Sequence, residues 1–406
     1  RTGARLLGWI VHGAGLTDGI GREADLRFFH LLSAQVDYLS DCWRDTAAGL
    51  PRITALTALT EAGCRLEGKH PVLAPAVRGL GDACAGWIAD DGSIASRNPE
   101  DLLEAFWLLV LAAQSLERRG VATASGHSAA IARVAPVLRT LRHADGGLAR
   151  FHGGGRGAEG RIERALALSG IRPGPPGDSA MGYRRLQGGR TTIVVDAASR
   201  GGRERFESLF AFEMTHGRAP IVTGSGPGRA FGAAWARRSR LAAGYSGLAI
   251  EGGGIGEPLP AELQAGAAGR QLRLQRRFPN AAHQRVLNLS LDGTMLTGED
   301  FLAPAGPGGF GRHGPEYALR FHLHPTVQAE ALEDGTTLHL LLPGGEVWTF
   351  RSEAPVSPML LPAVFLDPGE MRPLAARQIV LSGRAQGDGV LLNWTFAKAR
   401  ARPQAT

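Results

Sequence analysis

The sequence predicts an α+β multidomain protein, with a helical N-terminal domain followed by an antiparallel β-sheet domain. Apolar residues recur with the helical period up to about residue 145 and with a period of two after about residue 180. Between these parts the stretch from Phe151 to Pro176 is rich in Gly and Pro, and the helical period stops there. We therefore expect a helical domain over residues 1–175 and a sheet domain over residues 176–406.

Five helices are predicted in the first domain. Asn98 followed by Pro99 is typical of a helix N-cap and a first helical residue. Gly120 is typical of a residue just past a helix end. Short connections between such helices favour antiparallel pairs. The helical segments are Leu26 to Leu39, Ile53 to Cys64, Val72 to Ile88, Leu102 to Leu116 and Ile131 to Leu141.

Short strands are predicted in the second domain, and the Asp292-Gly293 pair is typical of a hairpin turn. Short strands separated by turns predict an antiparallel sheet or sandwich rather than a doubly wound fold. The segments are Thr191 to Asp196, Leu209 to Met214, Arg285 to Leu291, Tyr317 to His324, Leu338 to Leu342 and Val347 to Arg351.

The formal net charge of +7 favours an acidic partner, such as an anionic polysaccharide, a nucleic acid or a membrane surface. The arginines are scattered rather than gathered in a basic arm with aromatic residues between them, which disfavours nucleic acid. The longest apolar run, from Leu102 to Ala113, is too short to span a bilayer. Oligomeric state stays open.

Three cysteines, Cys42, Cys64 and Cys84, lie in predicted helices without the paired spacing of a zinc or redox motif. Buried free thiols are therefore expected. The sequence begins at Arg1, so any signal peptide would lie upstream, and a periplasmic and a cytoplasmic location in a bacterium both stay open.

Several ordered segments together resemble the heparinase II/III family, and the similarity covers nearly the whole chain. This resemblance implies an incomplete α/α toroid, here without its first helices, followed by an antiparallel β-sandwich. It also implies β-elimination on a uronate-containing polysaccharide without a cofactor, a structural divalent metal being an open alternative. The segments are residues 96–99, 142–155, 182–186, 211–213, 296–300, 320–325 and 378–381.

β-Elimination requires a donor that neutralises the uronate carboxylate, a base that removes the adjacent proton and an acid that protonates the leaving oxygen. Asn98 resembles the family asparagine that contacts the carboxylate, although it is an equally good helix cap. Arg97, Arg184 and Arg185 are expected to bind the substrate near it.

His143 and His152 flank a loop near the place where the family carries its catalytic base, and solvated loop histidines are the alternative. Tyr183, in the first strand of the sheet domain, is a candidate acid or base because a nearby cation eases ionisation of a phenol. A ring that only packs against its neighbours is the alternative.

His322 and His324 stand two residues apart on a predicted strand, a spacing that suits a pair of metal ligands. No third ligand is obvious, so a hydrogen-bonded polar face is the favoured interpretation.

The chain departs from the family pattern at two positions where relatives carry histidine, because Phe206 and Tyr245 stand there. Phenylalanine cannot exchange protons, and tyrosine is a poor substitute for a neutral imidazole. Three hypotheses follow. An active lyase is the first, and the alternatives are a catalytically degenerate protein that binds anionic glycan and a structural or interaction protein that keeps the fold.

Overall fold

The computed structural model describes residues 2–19, 21–198, 206–311 and 314–399. The chain divides into two compact units. The first comprises residues 1–95, 100–139 and 158–176, and the second comprises residues 96–99, 140–157 and 177–406. Two short segments, 96–99 and 140–157, therefore belong to the sheet unit although helices flank them in sequence.

The first unit is helical, and α2 to α6 confirm the five predicted helices. Helix α3 packs against α1, α2 and α4 and is buried along most of its length. The sequence did not reveal α1, which contains four glycines that weaken its helical signal, nor the short α7. The helices are α1 (Thr2–Thr17), α2 (Arg22–Cys42), α3 (Leu50–Arg65), α4 (Leu73–Trp87), α5 (Pro99–Arg118), α6 (Ser125–Leu141) and α7 (Arg161–Leu168).

The second unit consists of antiparallel strands and a short helix, α8 (Ala233–Arg238). Each predicted strand overlaps an observed one. The strands are β1 (Ser179–Ala180), β2 (Tyr183–Gly188), β3 (Thr191–Asp196), β4 (Phe212–His216), β5 (Ala219–Thr223), β6 (Leu248–Ile250), β7 (Glu257–Pro258), β8 (Glu262–Gly266), β9 (Gly269–Arg277), β10 (Ala281–Ser290), β11 (Met295–Pro304), β12 (Glu316–Leu323), β13 (Gln328–Ala331), β14 (Thr337–Leu341), β15 (Val347–Ser352), β16 (Met359–Phe365), β17 (Leu374–Arg384) and β18 (Val390–Lys398).

These strands form two sheets that share one hydrophobic core. The first sheet has the order β1-β2-β3-β4-β5-β12-β17-β16, with β6 paired to β12. The second has the order β13-β14-β15-β18-β11-β10-β9-β7, with β8 paired to β9. Phe212 of the first sheet stacks on Trp394 of the second with ring centroids 5.7 Å apart. The predicted antiparallel sandwich is confirmed, whereas the toroid stays a prediction.

All three cysteines are free thiols, and Cys64 and Cys84 are buried, as expected. Burial raises the pKa of the Cys84 thiol to about 12, so this group is unreactive at neutral pH. Across the part of the chain that the structure describes, no helix is both long and apolar enough to cross a membrane.

Candidate functional site

The first sheet carries a polar face that is formed by alternate residues of β2, β3 and β4. Tyr183 pairs with Asp196, and Val194 pairs with Glu213. Successive side chains of a strand point to opposite faces, so Tyr183, Asp196 and Glu213 share one side of the sheet. All three are buried. Because buried polar groups must be paired, their partners define the candidate site.

Asp196 is the centre of this site. Its carboxylate accepts hydrogen bonds from Arg97 Nη2 (2.5 Å), His152 Nε2 (3.0 Å) and Ser208 Oγ (2.6 Å). Burial alone would raise the pKa of Asp196, but the charge of Arg97 and the contact with His152 outweigh burial and hold this pKa below its usual range. The carboxylate is therefore ionised at neutral pH and orders three side chains.

Backbone strain is concentrated around Asp196. The non-glycine residues with positive φ, among those the structure describes, are Arg97 (53°), His152 (53°), Met181 (51°) and Phe210 (67°). Arg97 and His152 bind the Asp196 carboxylate, the Met181 carbonyl accepts a bond from Arg97 Nε, and the Phe210 amide donates to the Asp196 carbonyl. Such strain costs roughly 1–3 kcal/mol per residue and clusters at functional sites.

Tyr183 is closed off from solvent, with an exposed fraction of only 1%. Its hydroxyl donates to the backbone carbonyl of Arg97 at 2.7 Å, and the Arg97 guanidinium carbon lies 4.7 Å from the centre of its ring. Burial raises the pKa of Tyr183 well above its usual value despite the nearby guanidinium. The phenol therefore keeps its proton at neutral pH.

Glu213 is a second centre on the same face. His143 Nε2 lies 3.3 Å from its carboxylate, the Arg150 amide donates to it at 3.0 Å, and Thr223 Oγ1 donates at 3.2 Å. Burial alone would raise the pKa of Glu213, but His143 and Arg150 outweigh burial and lower it. His143 is thus held by a buried carboxylate and is not a solvated loop residue.

The structure therefore brings Arg97, His152 and Tyr183 together at Asp196 and places His143 at the second centre. Asn98 is half-buried and directly precedes α5, as the helix-cap interpretation expects. The cap interpretation and the proposed role in substrate binding are compatible.

The two arginines of β2 differ in their surroundings. Arg185 Nη1 donates to the carbonyls of Thr140 (3.1 Å) and Arg142 (2.6 Å). Arg184 is half-buried and, as the residue between Tyr183 and Arg185, lies on the opposite face of the sheet. Substrate binding by either arginine stays a prediction.

Phe206 and Tyr245, the two positions at which the resemblance predicts histidine, pack around the site. The ring centroid of Phe206 lies 5.4 Å from that of His152, and the ring centroid of Tyr245 lies 6.3 Å from that of Phe151. Burial raises the pKa of Tyr245 above its usual value, so its phenol also stays protonated at neutral pH. Neither side chain supplies a proton acceptor at neutral pH.

The histidine pair of the first sheet is engaged in hydrogen bonds. His322 Nε2 donates to the Ala243 carbonyl at 2.9 Å, and His324 Nδ1 lies 2.8 Å from Thr326 Oγ1. No group of three or more potential metal ligands occurs within the described ranges. These bonds favour the polar face over the metal pair, because His324 Nδ1 has no free lone pair for a metal.

Acid is expected to destabilise the protein through its buried histidines. Burial lowers the pKa of His283, His322 and His324 from 6.5 to about 4. Between about pH 6.5 and 4 the unfolded chain therefore binds protons that the folded chain does not bind. The free energy of unfolding falls as the pH falls through this window. Each histidine contributes up to about 3 kcal/mol.

Urea unfolding at several pH values measures this effect. His322→Gln is expected to reduce the slope between about pH 6.5 and 4, and the same change at the exposed His339 leaves it unaltered. A free energy of unfolding that is constant across this window would contradict the expectation.

Sequence reasoning missed Asp196, Ser208 and Arg150. Asp196 ends a strand whose residues from Thr191 onward are all buried. A buried acid requires a partner, so a carboxylate at this position is the signal for the site. Nothing in the sequence indicates that the partners are Arg97 and His152.

Comparison with known proteins agrees with the fold. The sequence model described as Heparinase II/III-like, C-terminal, matches residues 175–395, more than half of the chain. FtsZ-localized protein C of Caulobacter vibrioides is 28% identical over an alignment of 374 positions that covers 83% of this chain. The chain spans 64% of the length of that relative.

Solved structures show the same fold at low sequence identity. A heparinase III structure matches 100% of this chain and 70% of its own, with a TM-score of 0.72 and 13% identity. The heparan sulfate lyase HepC of Pedobacter heparinus matches 98% of this chain and 68% of its own, with a TM-score of 0.67 and 13% identity. Together with the family match, this establishes that the chain belongs to the heparinase II/III-like family of polysaccharide-lyase-like proteins.

Proposed function

We propose that this chain binds an anionic polysaccharide on the polar face of its first sheet and does not cleave it by β-elimination. The observation that carries the proposal is the buried hydroxyl of Tyr183, which donates to the Arg97 carbonyl. A base must be deprotonated and within reach of the substrate. Tyr183 meets neither condition in this arrangement.

The other candidate groups support the same proposal. His152 is held by Asp196 on one side and packs against Phe206 on the other. Arg97 donates from its guanidinium to Asp196 and to the carbonyls of Met181 and Ala198. Groups bound to each other in this way build a rigid support and leave less capacity for substrate chemistry.

Binding has separate support from charge. The net charge is +7, and the half-buried Arg320 lies on the same strand and the same face as His322. Burial lowers the pKa of Arg320, and no carboxylate of the described residues pairs with it. A guanidinium in this situation favours an incoming carboxylate or sulfate.

An active lyase is the second candidate, favoured by the convergence of Tyr183, His152 and Arg97 beside Asn98. The rings of His152 and Tyr183 are 6.1 Å apart, and within the described ranges His152 Nδ1 has no hydrogen-bond partner. A nitrogen of this kind could take a proton if the site opened. Ultraviolet absorbance of the unsaturated uronate product separates this candidate from the first.

Equilibrium binding to heparin and to polyglucuronate tests the first candidate. Affinity is expected to fall steeply with added salt, because counter-ions screen the arginines. Arg320→Met is expected to weaken binding roughly tenfold, the cost of one charged hydrogen bond. Arg384→Met, which changes an exposed arginine paired with Glu316, serves as the matched control. Equal loss in both variants, or no binding by the wild type, would contradict the proposal.

An interaction role is the third candidate, favoured by the relative from Caulobacter vibrioides, whose name places that protein with FtsZ. Localisation with FtsZ is the corresponding proposal for this chain. A fluorescent fusion imaged together with labelled FtsZ tests it, and a diffuse signal would count against it.

A further inference from the structure

The buried arginines of the second unit differ in one respect. Within the described ranges they are Arg97, Arg150, Arg185, Arg276 and Arg285. Four of them donate side-chain hydrogen bonds to carboxylates, carbonyls or ring nitrogens. Arg150 does not, since the hydrogen bond that it donates comes from its backbone amide.

Among the residues that the structure describes, none supplies an acceptor for the Arg150 guanidinium. The guanidinium carbon lies 5.6 Å from the ring centre of Phe365, and the exposed fraction of the whole residue is 6%. Among the described carboxylates none lies within ion-pair distance, although the charges of Glu213 and Asp145 are near enough to sense it. The backbone bond to Glu213 fixes the start of the side chain.

A guanidinium in this state is costly. The residue as a whole is largely removed from water, although its guanidinium nitrogens are not among the fully buried atoms. A charged group in such a place favours a paired acceptor. The nitrogens that keep access to the outside can therefore take an acceptor from a bound ligand in place of water. An anionic oxygen is the group that matches a planar guanidinium best.

His324 supplies a second donor at the same place. Its ring centroid lies 5.0 Å from that of Phe365, so the imidazole and Arg150 contact the same ring. The Thr326 amide donates to His324 Nδ1 at 3.4 Å, and Thr326 Oγ1 lies 2.8 Å from the same nitrogen. Nδ1 is therefore the acceptor of a neutral ring, and Nε2 carries the proton.

The remaining charges near this pair are partly engaged. Asp145 Oδ1 accepts the Gly147 amide at 2.9 Å, and its other oxygen lies 3.7 Å from Arg156 Nη2. Asp367 Oδ1 accepts the amide of Gly369. Neither carboxylate pairs with Arg150, so the guanidinium keeps its capacity for a ligand.

We infer that the Arg150 guanidinium and the Nε2–H of His324 form a subsite for one anionic oxygen group, a carboxylate or a sulfate, of the bound polysaccharide. The inference rests on the proposed glycan binding and names the residues that would recognise its charge. Phe365 forms the apolar floor that holds both donors in place.

Thermal unfolding of the full chain with and without small anions tests the subsite. Sodium glucuronate and glucosamine N-sulfate are the two probes, one for each kind of oxygen group. At least one probe is expected to raise the Tm of the wild type, because a ligand that binds the folded state stabilises it. Failure of both probes to raise this Tm would overturn the inference.

Arg150→Met removes the charge while keeping most of the side-chain volume. Its response to the probes is expected to vanish, because the charge that would bind them is gone. Arg384→Met is expected to respond as the wild type does. An undiminished response of Arg150→Met would overturn the inference.

Nitrogen-15 resonances of the histidine rings give a second measurement. The probe is expected to shift Nε2 of His324 and to leave the exposed His339 unchanged. Polysaccharide binding that Arg150→Met does not weaken would leave the proposed function standing and overturn the subsite. If the chain bound a probe at Arg150 but bound no polysaccharide, the subsite would stand and the proposed function would be overturned.

Discussion

Asp196→Asn is expected to lower the free energy of unfolding by about 3–5 kcal/mol, because it leaves the buried guanidinium of Arg97 without its counter-charge. The variant also weakens the bonds that hold Arg97 and His152 in their strained backbone conformations. Urea unfolding followed by circular dichroism measures the loss.

The matched control for this change is Asp388→Asn, at an exposed position outside the site. It is expected to change the free energy of unfolding by less than about 0.5 kcal/mol. A change of about 1 kcal/mol in the free energy of unfolding is typical of an ordinary substitution. If Asp196→Asn changed it by no more than that, the Asp196 carboxylate would not be the centre of the site.

Asp300→Asn is expected to have an effect of similar size, about 3–5 kcal/mol, through a second buried network. The Asp300 carboxylate accepts hydrogen bonds from His283 Nε2 (2.7 Å), Arg285 Nε (2.7 Å) and Trp394 Nε1 (2.9 Å). All of these groups are buried inside the sandwich. The loss is again measured by urea unfolding, with Glu299→Gln, an exposed neighbour on the same strand, as the control.

This second network also supports the candidate site. Arg285 Nη1 donates to the Phe210 carbonyl at 2.5 Å, and the Phe210 amide donates to the Asp196 carbonyl at 2.7 Å. Asp300→Asn is therefore expected to speed hydrogen exchange at the Phe210 amide as well. Exchange there at the wild-type rate, in a variant that is destabilised overall, would show that the two networks are independent.

Much of the fold could be predicted from the sequence because its apolar residues recur with clear helical and strand periods. The stretch from Thr191 to Asp196 was predicted with the bounds that β3 has, and Pro99 was predicted to start the helix that it starts. Helix α1 was missed because glycines at four positions weaken the propensity on which such a prediction depends.

The site could be predicted only in part. The sequence indicates three of the site residues individually, namely Tyr183, His152 and Arg97. Their convergence at Asp196 depends on the sheet register and on the path of residues 140–157. Neither of these features is encoded by a local stretch of sequence. Positive φ at Arg97 and His152 also runs against residue preference, because such conformations are uncommon outside glycine. The burial that keeps Tyr183 protonated depends on the sheet register and on these backbone conformations.

Binding of a uronate polysaccharide without its cleavage can be measured in a single assay. Ultraviolet absorbance of unsaturated uronate is followed in samples of the full chain in which binding of a uronate polysaccharide has been verified. We expect bound polysaccharide and no rise in absorbance. A rise that disappears in Tyr183→Phe would contradict the proposed function and establish an active lyase.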